Sequence, residues 1–183
     1  MDRSLIISET ATLFAHIAAP CQVARLGVEA VVQRADDVLT LQYTATGDAV
    51  ALAVPVPVSA QRRDELWRHT CAELFVAVPG DTAYCEFNFS PSGAWAAYRF
   101  EGYRAGMQPL LCVPPAIEVW HDVNTLRMSV QCFLPMPWSS AAVLQMGLTM
   151  VLEDQHGQCS YWALNHSGDK PDFHRRDSFV WEL

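Results

Sequence analysis

The fold is decided by two strand-like runs that lie close together in the chain, CAELFVAV at residues 71–78 and AYCEFNF at residues 83–89. In the second run polar and apolar side chains alternate, which is the period of a β-strand. Between the runs, Gly80 and Asp81 supply the residue types of a tight turn. We therefore predict a β-hairpin at this place.

The register of this hairpin sorts its side chains onto two faces. A two-residue or a four-residue loop gives the same register, with Glu73 opposite Asn88, Phe75 opposite Glu86 and Ala77 opposite Tyr84. We expect the other, wholly apolar face in the core, and it consists of Ala72, Leu74, Val76, Cys85, Phe87 and Phe89. An odd loop would turn the carboxylates toward the core, so the sequence favours the even register.

The next run, WAAYRF at residues 95–100, leaves two registers open. An even loop would place Arg99 opposite Glu86 and Trp95 on the polar face, whereas an odd loop would place Tyr98 there. We favour the even loop, because Arg99 then meets a carboxylate and stays out of the core.

Strand-like runs separated by turn signals recur about every ten residues along the chain. They predict an all-β fold, a jelly-roll-like β-sandwich of two antiparallel sheets in a single domain over residues 1–183. The predicted strands are 27–34, 38–44, 49–56, 71–78, 83–89, 95–100, 117–121, 126–133, 146–153, 160–164 and 178–182. Weak helical periodicity predicts only short helices, at 11–18 and 60–67.

Composition narrows the classes of function. The chain has 183 residues, of which 51% are hydrophobic and 17% are charged, and its formal net charge is −8. Lysines and arginines are not clustered, so we expect no nucleic-acid or anionic-membrane partner, because phosphate binding needs grouped positive charge. No stretch reaches the roughly 20 apolar residues of a membrane span. Oligomeric state is left open.

The cysteines and the N-terminal sequence bear on the compartment. The six cysteines show no CxxC motif and no paired spacing. The first nine residues, MDRSLIISE, lack the basic start and apolar run of a signal peptide. We therefore expect unpaired cysteines and a cytoplasmic protein.

The polar face of the predicted sheet suggests a ligand. Carboxylates, an amide, an arginine and aromatic rings suit a neutral polyhydroxylated molecule, because hydroxyls need paired donors and acceptors while C–H faces pack on rings. The alternative is an ordinary solvated outer face with cross-strand polar pairs.

The strings LWRHTCAELFV at 66–76 and YCEFNFSPSGAW at 84–95 resemble the DOMON-like superfamily, above all its bacterial DOMON-like proteins. The chain is more distantly similar to family 9 carbohydrate-binding modules. YRAGM at 103–107 and KPDFH at 170–174 also resemble the bacterial group, and the resemblance spans roughly residues 60–183. It implies a β-sandwich with a ligand pocket, in a superfamily whose members bind sugars or haem.

The resemblance to the sugar-binding modules also implies site residues. Glu73, Glu86 and Arg99 stand where those modules hydrogen-bond a sugar. Trp67 resembles one of two tryptophans that clamp the sugar, and Trp162 is a candidate for the other. The complete predicted ligand-binding set is Trp67, Glu73, Glu86, Asn88, Trp95 and Arg99, with no catalytic and no metal-binding residue.

An enzyme is the first alternative to a binding module. Glu73 and Glu86 on neighbouring strands form a carboxylate pair of the kind that serves glycosidic chemistry. Asn88 and Arg99 nearby are expected to hold both carboxylates ionised, whereas a general acid needs a raised pKa. We therefore favour binding without transformation.

Haem and metal sites are the remaining alternatives. Haem would need axial ligands such as Met107 with His121 or His174. Zinc would draw on the C-terminal residues His156, Cys159, His166 and His174, whose spacing matches no zinc signature. We expect no cofactor and no metal, and a small molecule, a sugar for instance, as the partner.

Overall fold

The computed structural model describes residues 9–23 and 25–183. The predicted absence of a signal peptide concerns residues 1–8 above all, and these lie outside the described residues. The strands are β1 (Glu9–Ala15), β2 (Gly27–Ala35), β3 (Val38–Thr46), β4 (Cys71–Ala77), β5 (Tyr84–Phe89), β6 (Trp95–Phe100), β7 (Gln108–Pro109), β8 (Ala116–His121), β9 (Thr125–Phe133), β10 (Gln145–Glu153), β11 (Cys159–Ala163) and β12 (Trp181–Glu182).

Helical structure in the described residues is limited to single 3-10 turns. They lie at Ala49–Ala51, Leu66–Arg68, Trp138–Ser140 and Arg176–Ser178. No helix in this part of the chain is long and apolar enough to cross a bilayer. The all-β prediction is therefore confirmed.

The strands pair throughout in antiparallel fashion and form a curled sheet that packs on itself as a sandwich. We call the half β7-β6-β5-β4-β10-β11, with β12 beside β10, the front sheet. The half β1-β2-β3-β9-β8 is the back sheet. Strand β1 joins the halves, because it pairs with β2 and, through Phe14 and Ala15, with β11.

The main hydrophobic core lies between the two sheets and confirms the predicted hairpin register. Strands β4 and β5 pair with Glu73 opposite Asn88 and Phe75 opposite Glu86. The predicted core residues Leu74, Val76, Cys85, Phe87 and Phe89 are all buried in this core. Their burial is what selects the register, since a slip of one residue would bring the carboxylates inside.

A second, smaller apolar cluster covers the outer face of the front sheet. Residues 165–180, which we call the covering segment, contribute Phe173 and Phe179 to it, and these rings pack against Phe75 at centroid distances of 6.5 and 5.5 Å. Gly147 on β10 permits this approach, because a Cβ there would lie 3.0 Å from the Phe179 ring. The front sheet is therefore buried on both faces.

The predicted register of β6 was wrong. Tyr98 lies opposite Glu86, and Arg99 lies opposite Cys85. The loop between Phe89 and Trp95 is odd, since these two residues form a pair and Gly93 in the loop adopts a φ of 90°. Arg99 lies on the inner face of β6 and yet is exposed. On one side β6 is flanked only by the two-residue edge strand β7, so the long side chain of Arg99 reaches solvent at the sheet edge.

Four other predicted elements differ from the structure. The predicted helix 60–67 is helical only at its end, where the 3-10 turn Leu66–Arg68 begins. The predicted strand 49–56 begins as a 3-10 turn and pairs only through a single bridge at Leu52, since Pro55 and Pro57 cannot donate to a ladder. The predicted helix 11–18 is instead strand β1 followed by a turn. The predicted strand 178–182 is reduced to β12, and the short β7 was not predicted.

Candidate functional site

A cavity of about 390 Å³ opens over the outer face of the front sheet. Its floor carries Glu73 from β4, Glu86 from β5 and Val151 from β10. The walls come from four segments of the chain, and they include Trp67, Arg68, Phe100, Arg104, Met107, Tyr161, Pro171, Asp172, Phe173 and His174. The cavity therefore forms where the covering segment leaves part of the sheet face open.

Glu73 is the most unusual group on the floor. Its side chain is on the outer face, yet only 3% of the residue is exposed. Its Oε1 atom is buried and has no hydrogen-bond partner among the described residues, and the same holds for Oγ1 of Thr149, which lies opposite on β10. Burial raises the pKa of Glu73 well above its ordinary value, Glu86 raises it further, and Arg104 lowers it. Burial therefore favours the protonated carboxyl of Glu73, a form that can both donate and accept a hydrogen bond.

Glu86, in contrast to Glu73, has a hydrogen-bond partner for its buried carboxyl. Its Oε1 accepts a 2.6 Å hydrogen bond from Nδ2 of the fully buried Asn88. Burial raises the pKa of Glu86 to about 7, although the Asn88 hydrogen bond and the charge of Arg104 both lower it. Near neutral pH this carboxyl is thus poised between its two charge states.

His174 of the covering segment stands beside Glu86 as a neutral ring. Its Nδ1 forms a 2.8 Å hydrogen bond with the Tyr84 hydroxyl, and Nε2 lies 3.7 Å from Oε2 of Glu86, too far for a direct hydrogen bond. Burial and the charge of Arg104 together lower the pKa of His174 to about 4, although Asp172 raises it. At neutral pH His174 therefore brings no positive charge to the floor.

The rim of the cavity is a polar clasp between two loops. Arg104 donates through Nη2 and Nε to Oδ1 of Asp172 at 2.8 and 3.2 Å. The Tyr103 hydroxyl donates to the other oxygen of Asp172 at 2.5 Å, and the backbone amide of Arg104 donates to the Tyr84 hydroxyl at 3.3 Å. These contacts tie the loop after β6 to the covering segment above the floor.

Aromatic rings form one side of the cavity. Trp67 lies edge-on to Tyr98 with the ring centroids 6.0 Å apart. Tyr98 is fixed in turn, because its hydroxyl donates to Asp64 at 2.6 Å and the guanidinium of Arg62 lies 5.3 Å from its ring. Trp67, which lines the cavity, therefore packs against a tyrosine that Arg62 and Asp64 hold in place.

The structure brings together part of the predicted binding set. Trp67, Glu73 and Glu86 line the cavity, and Asn88 supports Glu86 from below. Trp95 and Arg99 lie on the inner face of β6 and do not reach the cavity.

Trp95 on β6 and Trp162 on β11 both lie on the inner face of the front sheet. Both rings are buried in the main core between the sheets, and the Trp162 indole donates to the Ser160 hydroxyl at 3.0 Å. Trp162 therefore cannot act as a second tryptophan above the floor.

Sequence reasoning missed the rim, that is Arg104, Asp172 and their Tyr103 partner. Two signals pointed toward it. The strings YRAGM at 103–107 and KPDFH at 170–174, both part of the family resemblance that the sequence suggests, contain the residues that clasp each other.

The residues present do not fit haem. His174 engages the Tyr84 hydroxyl through Nδ1 and points Nε2 at Glu86, while Met107 is half exposed at the cavity edge. His121 lies elsewhere, with Nε2 on the carbonyl of Ala49. An axial pair facing one ring from two sides is therefore not formed.

Across residues 9–23 and 25–183, no three His, Cys, Asp or Glu side chains converge on a point that could hold a metal ion. His166 approaches the Phe14 carbonyl at 2.8 Å, and His156 stands in the turn after Asp154. All six cysteines are free thiols in the structure.

Comparison with known proteins gives likeness of fold. No protein-family model and no curated protein matches the sequence. A proposed carbohydrate-binding protein from Bacteroides uniformis superposes with a TM-score of 0.70 at 13% identity, covering 96% of this chain and 85% of that chain.

Two structures of family 9 carbohydrate-binding modules from Caldicellulosiruptor kristjanssonii also superpose. The module in complex with cellotriose gives a TM-score of 0.54 at 12% identity, covering 95% of this chain and 80% of that chain. The module in complex with glucose gives 0.50 at 13% identity, covering 93% and 82%. The chain thus has the β-sandwich fold of carbohydrate-binding modules.

Proposed function

We propose that this protein is a non-catalytic binding module for a small sugar or a related polyhydroxylated molecule, which enters the cavity over the front sheet. The observation that carries the proposal is the buried Oε1 of Glu73 on the cavity floor, which has no hydrogen-bond partner within residues 9–23 and 25–183. A buried polar atom without a partner costs free energy, and a ligand hydroxyl would supply the missing hydrogen bond.

The shape and lining of the cavity support a small ligand. Its volume of about 390 Å³ lies at the low end of the range for small-molecule sites, roughly 300–1,000 Å³. Glu73, Glu86 and the Arg104–Asp172 clasp offer donors and acceptors, while Trp67 and Phe100 offer apolar ring surface. Hydroxyls on the edge of a sugar and C–H groups on its faces need this combination.

The structural neighbours point the same way. The modules from Caldicellulosiruptor kristjanssonii were solved with cellotriose and with glucose. They support a sugar as the ligand class, and the DOMON-like resemblance of residues 60–183 is compatible with it. In the proposal the whole of residues 1–183 forms one such module.

Glycosidic catalysis is the second candidate, and one observation favours it. The expectation that Asn88 and an arginine hold both carboxylates ionised is not met, because burial raises the pKa of Glu73 and of Glu86. A carboxyl with a raised pKa is what a general acid requires. Release of nitrophenol from a panel of nitrophenyl glycosides, lost in Glu86→Gln, would support catalysis over plain binding.

The proposal is tested with a thermal-shift screen of mono- and disaccharides, sugar phosphates, haem and divalent metals, followed by calorimetric titration of the hits. A ligand that binds only the native state raises the melting temperature. Glu73→Gln should weaken a hit by about tenfold or more, since a hydrogen bond to a charged group is worth roughly 1.5–3 kcal/mol.

The matched control is Glu118→Gln on the exposed strand β8, which should bind as the wild type does. A hit that binds equally to all three proteins would contradict the proposed site. A screen in which no sugar raises the melting temperature would contradict the proposed function.

A further inference from the structure

The acidic floor of the cavity lacks a positive partner. We call Glu73 and Glu86 the carboxyl pair. They are 3% and 4% exposed, and Glu73 Oε1 makes no hydrogen bond among the described residues. Asn88 is the one protein group that donates to the pair in this part of the chain, and it is neutral. Two buried acids side by side without a cation are costly to ionise.

Every basic side chain that lines the cavity is already matched or uncharged. Arg104 pairs with Asp172 at 2.8 Å, and Arg68 pairs with Glu65 at 2.8 Å on the surface. His174 is neutral, because burial lowers its pKa to about 4. The described lining residues therefore leave the carboxyl pair with no cation of its own.

Four aromatic rings share the cavity with the carboxyl pair. Trp67, Phe100, Tyr161 and Phe173 all line the same cavity. Ring faces attract cations, and a cage of rings with carboxylates beneath it is a recurring way to bind an ammonium group. Neutral hydroxyls would use the rings only for apolar contact.

We propose that the ligand of this cavity carries a protonated amine, as in an amino sugar, and that the ammonium group sits on the carboxyl pair beneath the aromatic wall. This inference rests on the proposed function and narrows its ligand class. The amine would give Glu73 Oε1 its missing donor and supply the positive charge that the floor lacks. Charge-assisted hydrogen bonds of this kind are about twice as strong as neutral ones.

Binding of an ammonium group should release a proton from the carboxyl pair. The pair is at least partly protonated near neutral pH, and an adjacent cation favours the ionised form. The tyrosines and the cysteine next to the pair stay uncharged, because burial raises the pKa of Tyr43, Cys71, Tyr84, Tyr98 and Tyr161. His174 is a neutral ring, and Arg104 and Asp172 keep their charges in the ion pair at the rim. The released proton is therefore assigned to a carboxyl.

The test is calorimetric titration of the full chain with glucosamine, galactosamine and mannosamine, and with glucose, galactose and mannose as nearly isosteric neutral partners. The titrations are run at about pH 6.5, below the pKa of an ordinary amino group. At least one amine should bind about tenfold or more tightly than its neutral partner. Its apparent enthalpy should change with the buffer's ionisation enthalpy by an amount that corresponds to proton release.

Variants separate the carboxyl pair from general charge effects. Glu73→Gln and Glu86→Gln should each reduce the preference for the amine to about threefold or less, whereas Glu118→Gln on the outer strand β8 should leave it unchanged. Circular dichroism confirms that the variants are folded.

Two outcomes would overturn the inference, and they differ in what they leave standing. If a neutral hexose binds as tightly as its amine within about twofold, the ligand is a neutral sugar and only the amine inference fails. If neither the amines nor the hexoses bind, both the inference and the proposed function fail.

Discussion

The outer faces of the two sheets differ in what lies above them. On the back sheet, β3 and β9 alternate between buried and exposed residues, so their outer face is the ordinary solvated face of an antiparallel sheet. On the front sheet, every residue of β4 and β5 is buried, although β4 and β5 carry Glu73, Glu86 and Asn88 on the outer face. The same architecture thus yields one exposed polar face and one covered polar face.

The difference between the two outer faces shows which polar residues indicate a ligand-binding site. An exposed polar residue on the back sheet is satisfied by water and indicates nothing more. Carboxyls held under a covering segment carry a desolvation cost, and no arginine or lysine of the described residues forms an ion pair with them. The front sheet therefore has a surplus of hydrogen-bonding capacity, and it faces a cavity.

The largest expected loss of stability comes from removing a side chain against which the covering segment packs. Phe75 is fully buried on the outer face of β4 and contacts Phe173, His174 and Phe179. Phe75→Ala should lower the free energy of unfolding by about 3–5 kcal/mol, as in a true core. Thr40→Ala, on the exposed face of the back sheet, should change it by less than about 0.5 kcal/mol. Urea unfolding measures both, and similar small losses would show that the covering segment is not packed.

The second largest expected effect is a pH dependence of the free energy of unfolding that comes from the covered face of the front sheet. The pKa of Glu86 is about 7 in the folded protein and 4.5 ordinarily. Between these pH values the unfolded chain is ionised while the folded chain keeps its proton, so the free energy of unfolding falls as pH rises. The fall due to Glu86 is up to about 3 kcal/mol. Urea unfolding at both ends of this window should show a smaller fall in Glu86→Gln than in the wild type, because only the contribution of Glu73 remains in the variant.

His174 serves as an internal check on that measurement. Its pKa is lowered to about 4, so its contribution to stability is lost as pH falls from 6.5, which is opposite in sign to that of Glu86. The difference between wild type and Glu86→Gln removes this term, because both proteins keep His174. The free energy of unfolding of Glu118→Gln should vary with pH as that of the wild type does. If the pH dependence of Glu86→Gln were also parallel to that of the wild type, the assigned burial of Glu86 would be wrong.

The smallest effect concerns the rim. Asp172→Asn removes the charge that holds Arg104 and should lower the free energy of unfolding by only about 1 kcal/mol or less, since Arg104 is half exposed. Asp177→Asn, in an exposed pair with Arg175, is the matched control and should cost still less. Thermal unfolding measures both variants. A loss of several kcal/mol in Asp172→Asn would mean that the clasp is part of the folding core.

The sequence predicts the hairpin of the front sheet well because two local signals agree. The alternation along residues 84–89 and the turn at Gly80 leave one register in which no carboxylate enters the core. The register of β6 could not be read in the same way. Arg99 lies near a sheet edge, where a long side chain on the inner face still reaches solvent, so burial does not select between the registers.

The rim of the site could not be derived from local pattern at all. Arg104 and Asp172 are separated by 68 residues and meet only because the covering segment folds back over the front sheet. Neither lies on a strand, so no alternation places it. The same holds for β1, where a tertiary pairing with β2 and β11 overrides the weak helical signal of an alanine-containing segment.

The central claim is that the ligand site lies on the front sheet, over the carboxyl pair, and nowhere on the back sheet. Backbone amide chemical shifts, followed by NMR while glucose or glucosamine is added, test this claim most directly. The account predicts saturable shifts in β4, β5, residues 101–107 and residues 170–174, and none in β3 or β9. Shifts centred on β3, β8 and β9, or no saturable shifts with either sugar, would contradict it.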